Sequence, residues 1–303
     1  MNVNRAFVHS HESHALHILL ASLVDYAGLF PPASLEMKHA VANFARYREG
    51  EYAWMLGRFI VPAARLSEFE AVLPGARRGA GWHISALLGP DAAEEIKAII
   101  AFNRRHTGSA AVDSIETKVN TLKEIEHARA IVPDSLLTYF EIPGDVDPRP
   151  FLSAVHAVRA RAKIRTGGLK PDMFPSSEQV VRFLLACVDA RVPFKATAGL
   201  HHPVRCVRPL TYDKDAPKGT MHGFLNVFMT AAFALAGMPE PQLMEVLDES
   251  DPAAFKFDAK GANWREQRLD NTHLLECRAG LAMSFGSCSV EEPIDDLRSM
   301  NLL

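Results

Sequence analysis

Along the central two-thirds of the chain, short runs of apolar and β-favouring residues alternate with longer stretches of helical periodicity. Val24–Phe30 reads as a first strand closed by Pro31-Pro32, with a helix over Leu35–Tyr47. Gly57–Val61 is a second strand, and AARLSEFEAVL after Pro62 is its helix. Trp82–Leu88 is a third, followed by PDAAEEIKAIIAFNRR, whose acidic start suits the positive end of a helix dipole. Ala111–Asn120 is a fourth, with Thr121 placed to N-cap the helix TLKEIEHARAIV. Leu136–Ile142, with a helix over Pro150–Arg159, makes a fifth unit. Ala162–Thr166 makes a sixth, its helix capped by Ser176-Ser177. Pro193–Thr197 begins a seventh strand that leads into AGLHHPVR.

Seven strand–helix units in series imply a parallel sheet, because each parallel pairing requires a crossover. No GxGxxG follows the first strand and no GxxxxGK[ST] occurs, which removes support for dinucleotide and P-loop versions of α/β. The expected fold is therefore a single α/β domain over residues 1–303, a TIM-type (β/α)8 barrel. Phe255–Phe257 is the expected eighth strand. Residues 1–22 form an N-terminal helix that closes the bottom of the barrel. Residues 206–250 form a loop and helical insertion between strands seven and eight, whose helix is apolar nearly all round and so buried or an oligomer contact.

Composition narrows the class of function. A formal net charge of −3 argues against a nucleic-acid partner. No apolar run is long enough to span a bilayer, and the first residues lack the layout of a signal peptide. The four cysteines are scattered without CxxC spacing, as expected of reduced thiols in a cytoplasmic protein. The expected partner is a small-molecule substrate, with neither nucleic acid nor membrane, and with room for a homo-oligomer.

In such barrels, functional groups sit at the C-terminal ends of strands, and residues two apart share a strand face. Lys163 and Arg165 on strand six, and Lys195 on strand seven, each stand ahead of a glycine turn. A second cation would lower a lysine's pKa and free its amine for attack on a carbonyl. Glu141 closes strand five as a general base or counter-ion for Lys163, and Glu116 and Lys118 share a face of strand four. Asp25 and Tyr26, on strand one just before Gly28, offer an acid and a hydroxyl donor. His201, His202 and Arg205 follow strand seven, with His222 and Asn226 four residues apart on the next helix. Lys163, Lys195, Glu141 and His201 are the catalytic candidates. Arg165, His202, Arg205, Asp25, Lys118, Glu116, His222 and Asn226 are the substrate-binding ones.

KIRTGG and FKATAGL resemble the paired lysine strands of class I aldolases of the deoxyribose-phosphate aldolase type. The resemblance implies that Lys163 is the Schiff-base residue and Lys195 the lysine that tunes it. Arg165 stands where that family has a small residue. Gly199-Leu200-His201-His202 replaces its phosphate-binding glycine pair, which implies a substrate without phosphate there.

Three readings follow. The first is an aldolase- or lyase-like enzyme without a cofactor, acting on a small carbonyl or carboxylate metabolite by lysine-assisted carbonyl activation. The second is a hydrolase or lyase holding one divalent metal ion with Glu141, His201, His202 and His222. The third is a non-catalytic binding barrel. His9, His11 and His14 precede a helical stretch and read as a polar helix start. Ser287 lacks the GxSxG context of a nucleophile elbow.

Overall fold

The computed structural model describes residues 14–74 and 81–303. Eight parallel strands close into a barrel: β1 (Val24–Tyr26), β2 (Leu56–Pro62), β3 (Trp82–Leu87), β4 (Ala110–Lys118), β5 (Leu137–Glu141), β6 (Arg161–Arg165), β7 (Phe194–Thr197) and, as the eighth stave between β7 and β1, Ala282–Ser287. The TIM-type barrel and the first seven strand positions agree with the expectation, though β1 stops at Tyr26.

The eighth strand does not lie where the pattern placed it. Phe255–Asp258 pairs antiparallel with Gly261–Trp264, which pairs in turn with Gln267–Asp270, in a separate three-stranded sheet. The alternation of aromatic and lysine in FKF is a genuine strand signal, but that strand has its partners outside the barrel. In chain order, a hairpin of β8 (Cys206–Pro209) and β9 (Lys218–Met221) follows β7, the side sheet supplies β10 to β12, and the closing barrel strand is β13.

Helices α2 (Met37–Glu49), α3 (Leu66–Val72), α4 (Ala92–Arg105), α5 (Leu122–Ile131), α6 (Pro148–Ala157) and α7 (Ser177–Ala190) follow β1 to β6 in turn. Ser176 caps α7 as expected, in a capping box with Gln179. Thr121 holds the N-cap position of α5 without a side-chain hydrogen bond there. Outward-facing residues of the strands pack on this layer: Phe194 of β7 meets Phe183 of α7 at 5.8 Å, and Tyr26 stacks against Phe44 of α2.

After β9 come α8 (Phe224–Leu235), α9 (Glu240–Asp248), α10 (Asn271–Gly280), which leads into β13, and α11 (Glu291–Ser299). The apolar helix foreseen in the insertion is α8. Its residues from Phe224 to Ala234 are all buried, packed among α7, α9, α10 and β13. Its hydrophobicity is therefore accounted for inside one chain, without a second copy. Of the N-terminal helix, residues 1–13 lie outside the described residues. The remainder is α1 (Ala15–Leu20), N-capped by His14 and packed against α10 and the side sheet. His9 and His11 also lie outside the described residues. Among the described residues, no helix is long and apolar enough to cross a membrane.

Candidate active site

Parallel pairing fixes which inward-facing side chains meet. Register aligns Lys118 of β4 with Glu141 of β5, Glu141 with Lys163 of β6, and Lys163 with Lys195 of β7. Four consecutive strands thus present charged groups in one row across the barrel, a position that low-polarity surroundings penalise unless the charges are paired.

The buried members are paired, while Lys118, exposed at the end of β4, acts on Glu141 through its charge alone. The Lys195 ammonium donates to Asp25 Oδ2 at 2.6 Å and to Glu116 Oε1 at 2.7 Å. Lys163 Nζ lies 2.8 Å from Glu116 Oε2 and 2.8 Å from Glu141 Oε2. Glu116 therefore bridges the two lysines, one carboxylate oxygen to each. Ser85 donates to Glu116 and Ser284 to Asp25, at 2.8 and 2.7 Å, and the Arg58 amide donates to the other oxygen of Asp25. A Cβ at Gly57 would stand 2.3 Å from Asp25 Oδ1, so glycine is what lets that carboxylate lie against β2. Arg165 Nε donates to Glu141 at 3.2 Å.

The electrostatics follow from this web. Burial opposes ionisation of Glu116, but the ammonium groups of Lys163 and Lys195 outweigh it and hold its carboxyl far below the usual range. Glu141 is lowered in the same way, with burial opposing and Lys163 prevailing. Burial disfavours the charged form of Lys195, yet Asp25 and Glu116 push it well above the ordinary lysine value. The lowering of a lysine by a nearby second cation, expected from the sequence, is thus reversed at Lys195, because a carboxylate stands between the two amines.

Above this layer opens a cavity of about 610 Å³ at the C-terminal ends of the strands, where barrels of this type carry their sites. Lys163, Glu116, Glu141, Arg165, Lys118 and His201 line it. Lys195 does not, nor does Asp25. The turns after β6 and β7 frame one side. They abut so closely that a Cβ on Gly167 would lie 2.8 Å from the Gly199 Cα, and Gly199 has a positive φ of 76°. The glycine turns noted in the sequence are therefore the contact that brings these two loops together.

His201 projects into the cavity while its Nδ1 lies 3.1 Å from Glu292 of α11. Burial pulls this imidazole down, but interactions with the Cys288 thiol and with Glu292 prevail, and its pKa is pushed up to about 9. Cys288, which also lines the cavity, lies 3.7 Å from the Tyr212 hydroxyl.

The remaining candidates lie outside the cavity wall. His202 pairs with Asp296 at 2.6 Å. Arg205 pairs with Asp248 at 3.3 Å. His222 precedes α8 instead of sharing its face with Asn226, and its Nε2 meets the Pro175 carbonyl at 2.9 Å. Asn226 is fully buried, donates to the Val246 and Glu249 carbonyls and accepts from the Arg205 amide. Arg205 and Asn226 thus tie the segment after β7 to α9, His202 ties it to α11, and His222 is tied to the turn before α7. Tyr26 points into the helix layer. The set Glu141, His201, His202 and His222 does not converge, and among the described residues no three His, Cys, Asp or Glu side chains are grouped to hold a metal ion.

Ser85, Ser284 and Glu292 are the participants that sequence reasoning did not single out. Ser85 shares the face of Leu87 in WHISALL, which alternation alone makes visible. Ser284 depended on locating β13. Cys288, whose place near a C-terminal turn reads as packing in the sequence, lines the cavity instead. The chain matches no protein-family model, no curated protein and no solved structure.

Proposed function

We propose that this chain is a lyase- or aldolase-like enzyme that activates the carbonyl group of a carboxylate-bearing substrate through the amine of Lys163. The barrel is a fold that commonly carries enzymes, and fold alone does not select a reaction. The observation that carries the reading is the position of Lys163 Nζ. It stands at the floor of the cavity, 2.8 Å from each of two carboxylates that can take its protons.

In the proposed reaction, Glu141 accepts a proton from the Lys163 ammonium, and the freed amine adds to the substrate carbonyl carbon. His201, held by Glu292, donates a proton to the departing hydroxyl, so that amine and carbonyl yield an imine and water. The protonated imine then takes up the electron pair of the adjacent carbon–carbon bond as an enamine, while the departing fragment leaves as an aldehyde whose hydroxyl proton passes to the now neutral His201. Glu141 returns its proton to the enamine carbon, and water releases the carbonyl product and the Lys163 ammonium. Arg165 and Lys118 bind the substrate carboxylate, arginine through its two-pronged geometry. Lys195 and Asp25 act as positioning residues that fix Glu116 from below. No phosphate subsite is required, in keeping with Gly199-Leu200-His201-His202 after β7.

Reductive trapping tests this. Incubation with a panel of 2-oxo acids and aldehydes under borohydride is expected to add the mass of one substrate less one oxygen atom, located by peptide mapping at Lys163 and absent from Lys163→Arg. No adduct with any member of the panel, or an adduct that persists in Lys163→Arg, would remove the imine mechanism. Binding without an adduct would favour the non-catalytic barrel.

A further inference from the structure

The cavity is divided in two. Apart from His201 after β7, which is paired with Glu292, its charged groups come from β4, β5 and β6: Glu116, Lys118, Glu141, Lys163 and Arg165. The facing wall, from the β1 turn and from β2 and β3, is apolar, with Phe30, Ile60 and Leu87. Leu169 and Met173 after β6, and Met221 of β9, line the upper part. Leu169 and Met173 are 37% and 41% exposed, large apolar side chains open to water beside the mouth.

Among the charged groups of the floor and the layer below it, Lys163, Arg165 and Lys195 are paired with Asp25, Glu116 and Glu141. Lys118, without a direct ion pair among the described residues, leaves one positive charge in excess. An anionic head is therefore matched at one side only. A three-carbon acid would reach the floor and leave most of about 610 Å³ to water. Cavities of roughly 300–1,000 Å³ suit ligands of drug-like size. A polyhydroxylated chain fits this wall poorly, because its hydroxyls would give up water for a surface without partners.

We infer that the ligand is amphipathic: an oxo-carboxylate head joined to an extended aliphatic tail. The head lies over Lys163 and Arg165, and the tail runs along Phe30, Ile60 and Leu87 to cover Leu169 and Met173. The oxo group of this inference rests on the proposed role of Lys163, whereas the tail rests on the cavity wall.

Two series measured on the full chain separate these parts: unbranched 2-oxo acids of three, six, eight and ten carbons, and the plain carboxylic acids of the same lengths. Calorimetry is expected to show Kd falling about two- to fourfold per added methylene in both series. The variant carrying Leu169→Asn and Met173→Asn, uncharged replacements at partly exposed positions, is expected to flatten that dependence. Affinity that stays constant or weakens with length overturns the inference, as does a full length dependence in the double variant. If both series tighten with length but borohydride traps nothing, the amphipathic ligand stands and the imine mechanism falls. If the three-carbon oxo acid is trapped at Lys163 while longer tails add nothing, the opposite holds.

Discussion

Lys163 and Lys195 are register partners on adjacent strands, share one carboxylate, and differ in exposure by only three percentage points, at 4% and 1%. Their surroundings nevertheless assign them to different regions. Lys195 is enclosed by Asp25 and Glu116 within the layer beneath the floor. Lys163 has a carboxylate on each side, and its amine borders open volume. The difference shows that burial and pairing do not by themselves mark a reactive lysine. What distinguishes the two is whether a third party can approach the amine.

Replacement of each lysine by methionine breaks this symmetry most strongly. Lys195→Met leaves Asp25 and Glu116 short of their shared partner in a closed layer, and removing one member of a buried ion pair typically costs about 3–5 kcal/mol. Lys163→Met should cost less, about 1.5–3 kcal/mol. Glu141 keeps Arg165 and borders the cavity, and Glu116 keeps Lys195 and Ser85. Urea denaturation checks the order of the two variants. Trapping should fail in Lys163→Met while that protein remains folded. Equal destabilisation by both variants would erase the distinction between the regions.

Acid sharpens the same comparison with a smaller effect. The folded-state pKa of Glu141 is depressed, so its contribution to stability is present above its unfolded value near 4.5. That contribution is lost as pH falls below 4.5 through the lower folded value. Glu141→Gln should therefore be less stable than the parent at pH 7, and the gap should close progressively below pH 4.5. Paired denaturation curves at pH 7, 5 and 3.5 measure this. A gap that does not change with pH would mean that Glu141 is not held ionised by Lys163.

Much of this arrangement was legible before any coordinates. Strand alternation was enough to align Glu116, Glu141, Lys163 and Lys195 on inward faces, because a barrel strand has only two sides. Two kinds of information were not in the pattern. The first was partner choice: FKF and AMSFGS are both plausible strands, and only the second pairs with β7 and β1 to close the barrel. The second was the fate of polar residues in a long connection. Arg205, His222 and Asn226 looked chemical, yet their contacts go to carbonyls, an amide and Asp248 instead of a substrate, although His222 Nδ1 and Arg205 Nε are left without a hydrogen bond among the described residues. The depth difference between the two lysines was also invisible, since it depends on the turns above them and not on the strands.

His201 provides the finest test, because it lines the cavity from the loop after β7 and is held by Glu292, outside the Lys163 carboxylate web. With its pKa pushed up to about 9, the imidazole is protonated at neutral pH and able to serve as the acid that Lys163 chemistry needs. A raised folded-state value means that its stabilising contribution is complete below the unfolded value near 6.5 and is lost as pH rises through 9. The rate of adduct formation should accordingly fall on an alkaline limb near pH 9. Glu292→Gln, which removes the carboxylate 3.1 Å from Nδ1, should shift that limb toward neutrality while leaving the trapped site at Lys163 unchanged. The ring-proton titration of His201, followed by NMR in both proteins, should move in step with the limb. A native midpoint near 6.5 would show that the Cys288 and Glu292 contacts fail to outweigh burial, and the acid would then have to come from elsewhere in the cavity.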